Sequence, residues 1–76
     1  MIIVNQDKTS IHNLDNLVSI SVRPNSDDGK YRVKCTDIIG SITLGTYSTE
    51  KRAIDILDKI VNAAGLGMYV YVMPKK

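Results

Sequence analysis

Few residues in this chain have the types that catalysis needs, and they are widely spaced. His12 and Cys35 have the side-chain types of a catalytic base and a nucleophile, since a histidine can accept the proton of a cysteine thiol. Each lies in the middle of a predicted strand, however, and a lone buried cysteine usually behaves as a small apolar residue. The sequence therefore gives little support to a catalytic dyad at these positions.

The carboxylates are equally weak candidates for acid–base chemistry. Asp55 and Asp58 lie on a solvated helix face beside basic residues, and Asp27 and Asp28 lie in a turn, where aspartate is common for backbone reasons. One histidine and one cysteine are too few for a structural zinc site, and the chain has no glycine-rich phosphate loop. We therefore expect a protein that is not an enzyme and that uses no cofactor or metal.

Length and composition indicate one small domain, residues 1–76, which buries only about 60% of the surface that its unfolded chain exposes. The single cysteine excludes an internal disulfide, which favours an intracellular compartment. The first residues lack the pattern of a signal peptide, and the longest apolar run, 68–73, is far shorter than the roughly 20 residues of a membrane span. We expect a cytoplasmic protein with no membrane partner. Its formal charge of +2 does not by itself indicate a polyanionic partner.

Hydrophobic alternation and turn residues predict five short strands before the helix, at 1–4, 10–14, 17–23, 30–35 and 41–45. A polar turn separates the first two strands, and a second turn follows at residues 14–16. Pro24 is expected to end the third strand. In the fifth strand, Ile42 and Leu44 are expected to face away from Gly45.

The segment between Ser48 and Gly65 has the period of an amphipathic helix. Ser48 or Thr49 is predicted to cap its start, and Gly65 is predicted to adopt the left-handed conformation that follows a helix. The apolar half of the helix comprises Ala53, Ile54, Ile56, Leu57, Ile60, Val61, Ala63 and Ala64. A last strand at 68–73 ends at Pro74. The order βββββαβ predicts an α+β fold, with the helix packed on one face of a mostly antiparallel sheet of five to six strands.

The hairpin 19–34 carries four basic residues on its predicted outer face: Arg23, Lys30, Arg32 and Lys34. Such a group of charges suits the phosphates of nucleic acid, a small anionic ligand or an acidic protein surface. However, lysines and arginines are also common at solvent-facing sheet edges that have no binding function. In addition, few aromatic side chains are available to stack on bases. Nucleic-acid binding through this hairpin is therefore the second hypothesis.

Alternation fails only in residues 1–4 and 68–73, where apolar side chains point to both sides of the strand. The helix can cover one of these sides. The other side needs either curling of the sheet into a half-barrel or a second subunit, because exposed apolar patches favour association. We expect a homodimer, because burial of each large apolar side chain stabilises a protein by about 1.5 to 3 kcal/mol, and this free energy is not gained while the side chain remains in water. The predicted interface comprises Met1, Ile3, Tyr69, Val70, Tyr71 and Met73.

Two segments of the chain resemble a group of small uncharacterised proteins of phages and prophages of Gram-positive bacteria: IIVNQDKTSIHNLDNLVSI, and LGTYSTEKRAIDILDKI followed by YVYVMP. The shared features are a turn, a helix start and a terminal strand, so the resemblance transfers no catalytic or binding residue. It implies a phage accessory protein in the host cytoplasm, and such proteins often have counter-defence roles. The first hypothesis is therefore a non-enzymatic, homodimeric binding module that occupies a host protein or sequesters a small ligand.

Overall fold

The computed structural model describes residues 1–16 and 19–76, and these contain six strands and one α-helix in the order βββββαβ. A 3₁₀ turn at Leu14–Asn16 occupies the position of the predicted second turn. Leu17 and Val18, which belong to the predicted third strand, lie outside the described residues. The elements are β1 (Ile2–Val4), β2 (Ile11–Asn13), β3 (Ser19–Asn25), β4 (Lys30–Thr36), β5 (Ser41–Tyr47), α1 (Glu50–Gly65) and β6 (Val70–Val72).

The strands of the described residues form two three-stranded sheets. In the small sheet, of order β2-β1-β6, β1 pairs antiparallel with β2 and parallel with β6. The large sheet, of order β3-β4-β5, is antiparallel throughout, and α1 packs against it. The predicted α+β fold and element order are therefore confirmed, but the strands form two sheets and not the single sheet of five to six strands that was predicted. Both sheets and the helix contribute to one core, whose buried members are Ile3, Val33, Cys35, Leu44, Tyr47, Ala53, Ile56, Ile60 and Met73.

Helix α1 begins where the sequence predicts, but the left-handed residue that follows it lies two positions later than expected. Of the two candidate caps, Thr49 is the N-cap, and its side-chain oxygen accepts the backbone N–H of Arg52. The left-handed residue is Gly67, with φ of 72°, and not Gly65. Gly67 and Met68 donate their N–H groups to carbonyls of the last helical turn, which closes the helix in a Schellman motif. The prediction for Gly65 is wrong because that residue is still helical.

The apolar half of α1 is wider than the surface that covers it. Ala53, Ile56 and Ile60 are buried, whereas Ile54 and Val61 remain exposed. A three-stranded sheet is narrow, so it covers only the centre of the apolar half.

Two details of the large sheet correct the predictions from alternation. Pro24 does not end β3 but pairs with Tyr31, which is compatible with an edge strand because the missing N–H can point away from the sheet. In β5, a bulge shifts the register, so that Val33 pairs with Gly45 and Lys34 with Thr43. Leu44 and Gly45 are consequently both buried, although alternation predicts opposite sides for them.

A polar junction at Gln6 joins the two sheets. The backbone N–H of Gln6 donates to the carbonyl oxygen of Leu44 at 2.8 Å. Its side-chain Oε1 accepts the N–H of Thr46 at 2.7 Å, while Nε2 donates to the carbonyl oxygens of Thr46 at 2.9 Å and Lys75 at 2.8 Å. The side-chain amide thus covers the outer edge of β5 and also holds the C-terminal segment.

Tyr47 anchors the same C-terminal segment from the core. Its side chain is only 2% exposed, and its hydroxyl donates to the carbonyl oxygen of Pro74 at 2.8 Å. Burial, with a smaller contribution from Tyr71, raises the pKa of Tyr47 to about 12, and burial also raises the pKa of Tyr71. Both phenols therefore favour the neutral form in the folded protein.

We expect the free energy of unfolding to fall at alkaline pH because of Tyr47. A phenol whose folded pKa is raised contributes stability that is complete below its unfolded pKa and is lost as pH rises through the folded value. For a shift from 10.0 to about 12, this contribution is about 1.4 kcal/mol smaller at pH 11 than at neutral pH. Urea titrations from pH 8 to 11 test this: Tyr47→Phe should flatten the decline, whereas Tyr69→Phe, at an exposed position, should leave it unchanged. Equal declines in wild type and Tyr47→Phe would contradict the prediction.

Candidate functional site

The four basic residues of the predicted hairpin patch lie on one side of the β3–β4 ladder, which we call the basic face (Arg23, Lys30, Arg32 and Lys34). Arg23 pairs directly with Arg32, and Lys30 and Lys34 lie two residues to either side of Arg32 on β4. Because paired residues and their i±2 neighbours point to the same side of a sheet, the structure brings all four cations together. Tyr31 points to the opposite side and packs against the core, as the alternation predicts.

The electrostatics of the basic face are unfavourable for the isolated sheet. Arg23 and Arg32 are like charges directly opposite each other, an arrangement that destabilises an antiparallel pair. Asp28 relieves part of this repulsion through an ion pair with Arg32, at 3.0 Å between Nη2 and Oδ2. A hydrogen bond from the backbone N–H of Lys30, together with the Arg32 charge, lowers the pKa of Asp28, which keeps the carboxylate ionised. Within the described hairpin, the remaining cations have no such ion pair.

Hydroxyl groups extend the basic face onto β5. Thr46 pairs with Arg32, and Thr43 pairs with Lys34, so both threonines point to the same side as the cations. Hydroxyl and cationic donors side by side are the groups that proteins use to contact phosphate oxygens.

A second candidate surface lies on the side of the small sheet that faces away from the core. Its two rows across the sheet follow from the register: Ile11–Val4–Val72 and Asn13–Ile2–Val70. Five of these six residues are β-branched and apolar, and we call these five the apolar outer face (Ile2, Val4, Ile11, Val70 and Val72). Ile11 is 64% exposed, Val72 49% and Val70 42%. The failure of alternation in the terminal segments thus produces a contiguous apolar surface.

Only part of the predicted dimer interface belongs to this surface. Ile3 and Met73 are fully buried in the protomer core, and Tyr71 packs against that core, so these three side chains do not face a partner. The pairing of Ile3 with Tyr71 places both on one side of the small sheet, and this side packs into the core together with Met73. The predicted assignment of Ile3, Tyr71 and Met73 is therefore corrected to the inner side.

The other predicted interface residues differ in position. Val70 lies on the apolar outer face. Met1 and Tyr69 instead line a cavity of about 530 Å³ beside the C-terminal end of α1, and Tyr69 is the more exposed of the two.

Comparison with known proteins gives no match: no family model fits the chain, and no curated protein or solved structure is significantly similar to it. The two surfaces must therefore be interpreted from their own geometry.

His12 and Cys35 lie in different sheets, and no hydrogen bond joins them in the described structure. Cys35 is fully buried, and burial followed by the nearby Asp37 carboxylate raises the pKa of its thiol. The ring of His12 is hydrogen-bonded to the hydroxyl of Ser10 at 3.1 Å between Nε2 and Oγ. A buried, protonated thiol is a poor nucleophile, so this geometry offers no support for a dyad.

Within residues 1–16 and 19–76, no group of three potential metal ligands comes together. The helix of the described chain lacks the length and the apolar character that crossing a membrane requires.

Reasoning from the sequence missed a second group of cations, formed by Arg52, Lys75 and Lys76 next to Lys30. Arg52 is in the first turn of α1, and the two lysines follow β6, so these residues are far apart in the sequence. In the sequence, this group of cations is indicated only by the pair of lysines after Pro74. Their position becomes clear only from the hydrogen bonds that hold the C-terminal segment.

Proposed function

We propose that this chain is a non-enzymatic binding module that forms a homodimer through its apolar outer face. As a phage accessory protein, it would occupy a host protein or sequester a small ligand. The main support for the dimer is the apolar outer face itself. Apolar side chains that remain in water add little to the stability of a small domain, so covering them with a second subunit is favourable. The phage origin is supported by the resemblance of the two terminal segments.

Three properties of the apolar outer face favour a second copy of this chain as its occupant. None of its residues is charged, and the basic face lies on the other sheet, so two copies can approach without bringing like charges together. A sheet of three strands, each of three residues, is small for independent stability and gains from being covered. The surface also carries β-branched side chains on all three strands, so the same types of side chain can pack against each other across a two-fold axis.

The small area of the apolar outer face indicates a weak dimer. Three strands of three residues span about 150 Å², whereas a stable interface buries about 800 Å² per partner. Even with the exposed side chain of Met68 beside β6, the interface would be far smaller than this, so we expect a weak dimer that forms in the high micromolar range.

Sedimentation velocity across a micromolar to millimolar concentration series tests the dimer. The wild type should change from monomer to dimer over this range, and Val72→Lys should remain a monomer. Ile11→Lys should have the same effect, because Ile11 lies on the same face but on the strand farthest from β6. Ile39→Lys is the matched control, since Ile39 is almost fully exposed in the β4–β5 connection. A wild type that stays monomeric, or an Ile39→Lys variant that loses the dimer, would contradict the proposal. Loss of the dimer in Val72→Lys but not in Ile11→Lys would indicate pairing of β6 edges instead.

The paired cations of the basic face favour a second candidate function, the binding of nucleic acid. Arg23 and Arg32 are held opposite each other at a cost in stability, which an anionic partner would relieve. If phosphates bind here, the double substitution Arg32→Ser with Lys34→Ser should weaken binding of mixed-sequence DNA or RNA. It should also reduce the slope of log K against log salt by about 1.4 to 1.8.

Fluorescence anisotropy over a salt series measures both quantities. The matched control is Lys51→Ser with Lys59→Ser, which removes two exposed cations from α1. Equal effects of the two double substitutions would show that only net charge matters. No binding by the wild type at low salt would eliminate this function.

A further inference from the structure

A cavity of about 290 Å³ lies where the end of β5, the start of α1 and the C-terminal segment meet. Four of the lining residues are cationic: Lys30, Arg52, Lys75 and Lys76. The other three carry hydroxyl groups: Thr46, Tyr47 and Ser48. None of the seven lining side chains is a carboxylate, although the whole chain has eight acidic residues against ten basic ones. The charged side chains of the lining are therefore all positive.

The backbone of the C-terminal segment is fixed by side chains from β5, from α1 and from the connection between β1 and β2. The Tyr47 hydroxyl donates to the carbonyl oxygen of Pro74, and Gln6 Nε2 donates to that of Lys75. Arg52 donates to the main-chain oxygen of Lys76 through Nε at 3.0 Å and Nη2 at 2.8 Å. The main-chain oxygens of three consecutive residues are therefore held, and both lysines line the cavity together with Lys30 and Arg52.

Arg52 retains donors for a ligand. A guanidinium has five N–H donors, and the contact with the main-chain oxygen of Lys76 uses one on Nε and one on Nη2. The other three make no hydrogen bond within the described residues, and Ser48 and the three lysines of the lining add further donors for an anion. The pattern suits a compact, doubly charged oxyanion better than a single carboxylate.

We propose that this cavity binds the phosphate group of a small ligand. The proposal deepens the binding function above by naming the chemistry of its small ligand, and it is independent of dimerisation. The fixed C-terminal backbone positions two cations, Arg52 contributes a third charge in a rigid planar group, and Lys30 closes the side that adjoins the basic face.

Titration of ¹⁵N-labelled protein with inorganic phosphate at constant ionic strength tests the site. We expect saturable shifts centred on the amides of Ser48, Arg52 and Lys76, and about 5- to 10-fold weaker binding in Lys30→Ser and in Lys75→Ser. Lys59→Ser, which removes an exposed cation outside the cavity, should bind as the wild type does. Non-saturating shifts, or equal weakening by Lys59→Ser, would overturn the proposal by reducing it to general electrostatic attraction.

Arg52→Lys separates positioning from charge. It keeps the positive charge but cannot hold the main-chain oxygen of Lys76 with two parallel donors. We expect weaker phosphate binding together with lower ¹⁵N heteronuclear NOE values, which report greater backbone mobility, in residues 75 and 76. Unchanged binding with a loosened segment would overturn the role of the fixed backbone.

Two further probes identify the source of the phosphate. Adenosine monophosphate should compete with inorganic phosphate, whereas mixed-sequence DNA without a terminal phosphate should not. Competition by that DNA would assign the cavity to nucleic-acid backbone and overturn the small-ligand assignment. Val72→Lys should bind phosphate as the wild type does, so failure of the dimer and failure of this site remain distinguishable.

Discussion

Replacement of Gln6 by glutamate should lower the free energy of unfolding by about 2 to 4 kcal/mol, although the two side chains have nearly the same shape. The amide nitrogen of Gln6 donates to the carbonyl oxygens of Thr46 and Lys75. A carboxylate has no donor, so both hydrogen bonds are lost and a negative charge faces two carbonyl oxygens in a partly buried position. Urea denaturation at neutral pH and at one fixed protein concentration measures the loss.

The pH dependence identifies the cause. Below about pH 4 the introduced carboxyl is protonated and can donate one hydrogen bond again, so the difference between Gln6→Glu and the wild type should shrink. Asn62→Asp is the matched control, because it makes the same amide-to-acid change on the exposed surface of α1. Asn62→Asp should lower the free energy of unfolding by only about a few tenths of a kcal/mol. A Gln6→Glu variant as stable as Asn62→Asp would show that the junction at Gln6 does not hold the sheets together.

The sequence predicts those features of this fold that depend on neighbouring residues. The helix start at Thr49 follows from the side chain that caps it, and the β3–β4 hairpin follows from alternation on both sides of a turn. The same local reasoning places the four cations of the basic face on one side, because register in a hairpin is fixed by the turn. These predictions need no knowledge of the rest of the chain.

Features that depend on distant parts of the chain could not be predicted in this way. Ile3 and Tyr71 share the inner side of the small sheet because β1 pairs with β6, whose residues are almost a whole chain length apart in sequence. Alternation cannot choose between two apolar sides of a strand, so the predicted interface mixed inner and outer residues. The cavity around Arg52 likewise depends on hydrogen bonds to a segment that local patterns leave unassigned.

Gly45 is a single residue whose position could not be predicted from local patterns. Its substitution should also have the second large effect on the free energy of unfolding. Alternation assigns Gly45 to the solvent side of β5, yet the bulge at Leu44 turns it inward beneath the ring of Tyr47. A Cβ atom at this position would lie 2.7 Å from the Tyr47 hydroxyl oxygen and 2.9 Å from Cε2, closer than van der Waals contact allows. The ring cannot move away freely, because it is buried and its hydroxyl is bonded to the Pro74 carbonyl.

Gly45→Ala should therefore lower the free energy of unfolding by about 2 to 4 kcal/mol, the sum of overpacking and the displaced Tyr47 hydrogen bond. Calorimetry should show a melting temperature about 10 to 25 °C lower. Gly65→Ala provides the control: nothing lies within 4 Å of its added methyl group, and the site is helical, so the protein should become slightly more stable.

A double-mutant cycle with Tyr47→Leu determines whether the ring is the cause. Leucine lacks the Cζ atom and the hydroxyl that the added methyl group would approach, so Gly45→Ala should cost less than about 1 kcal/mol in that background. If the cost is the same in both backgrounds, the glycine is required by the backbone of the bulge and not by the ring. The expected coupling would instead establish that Tyr47 can reach and hold the C-terminal segment only because residue 45 has no side chain.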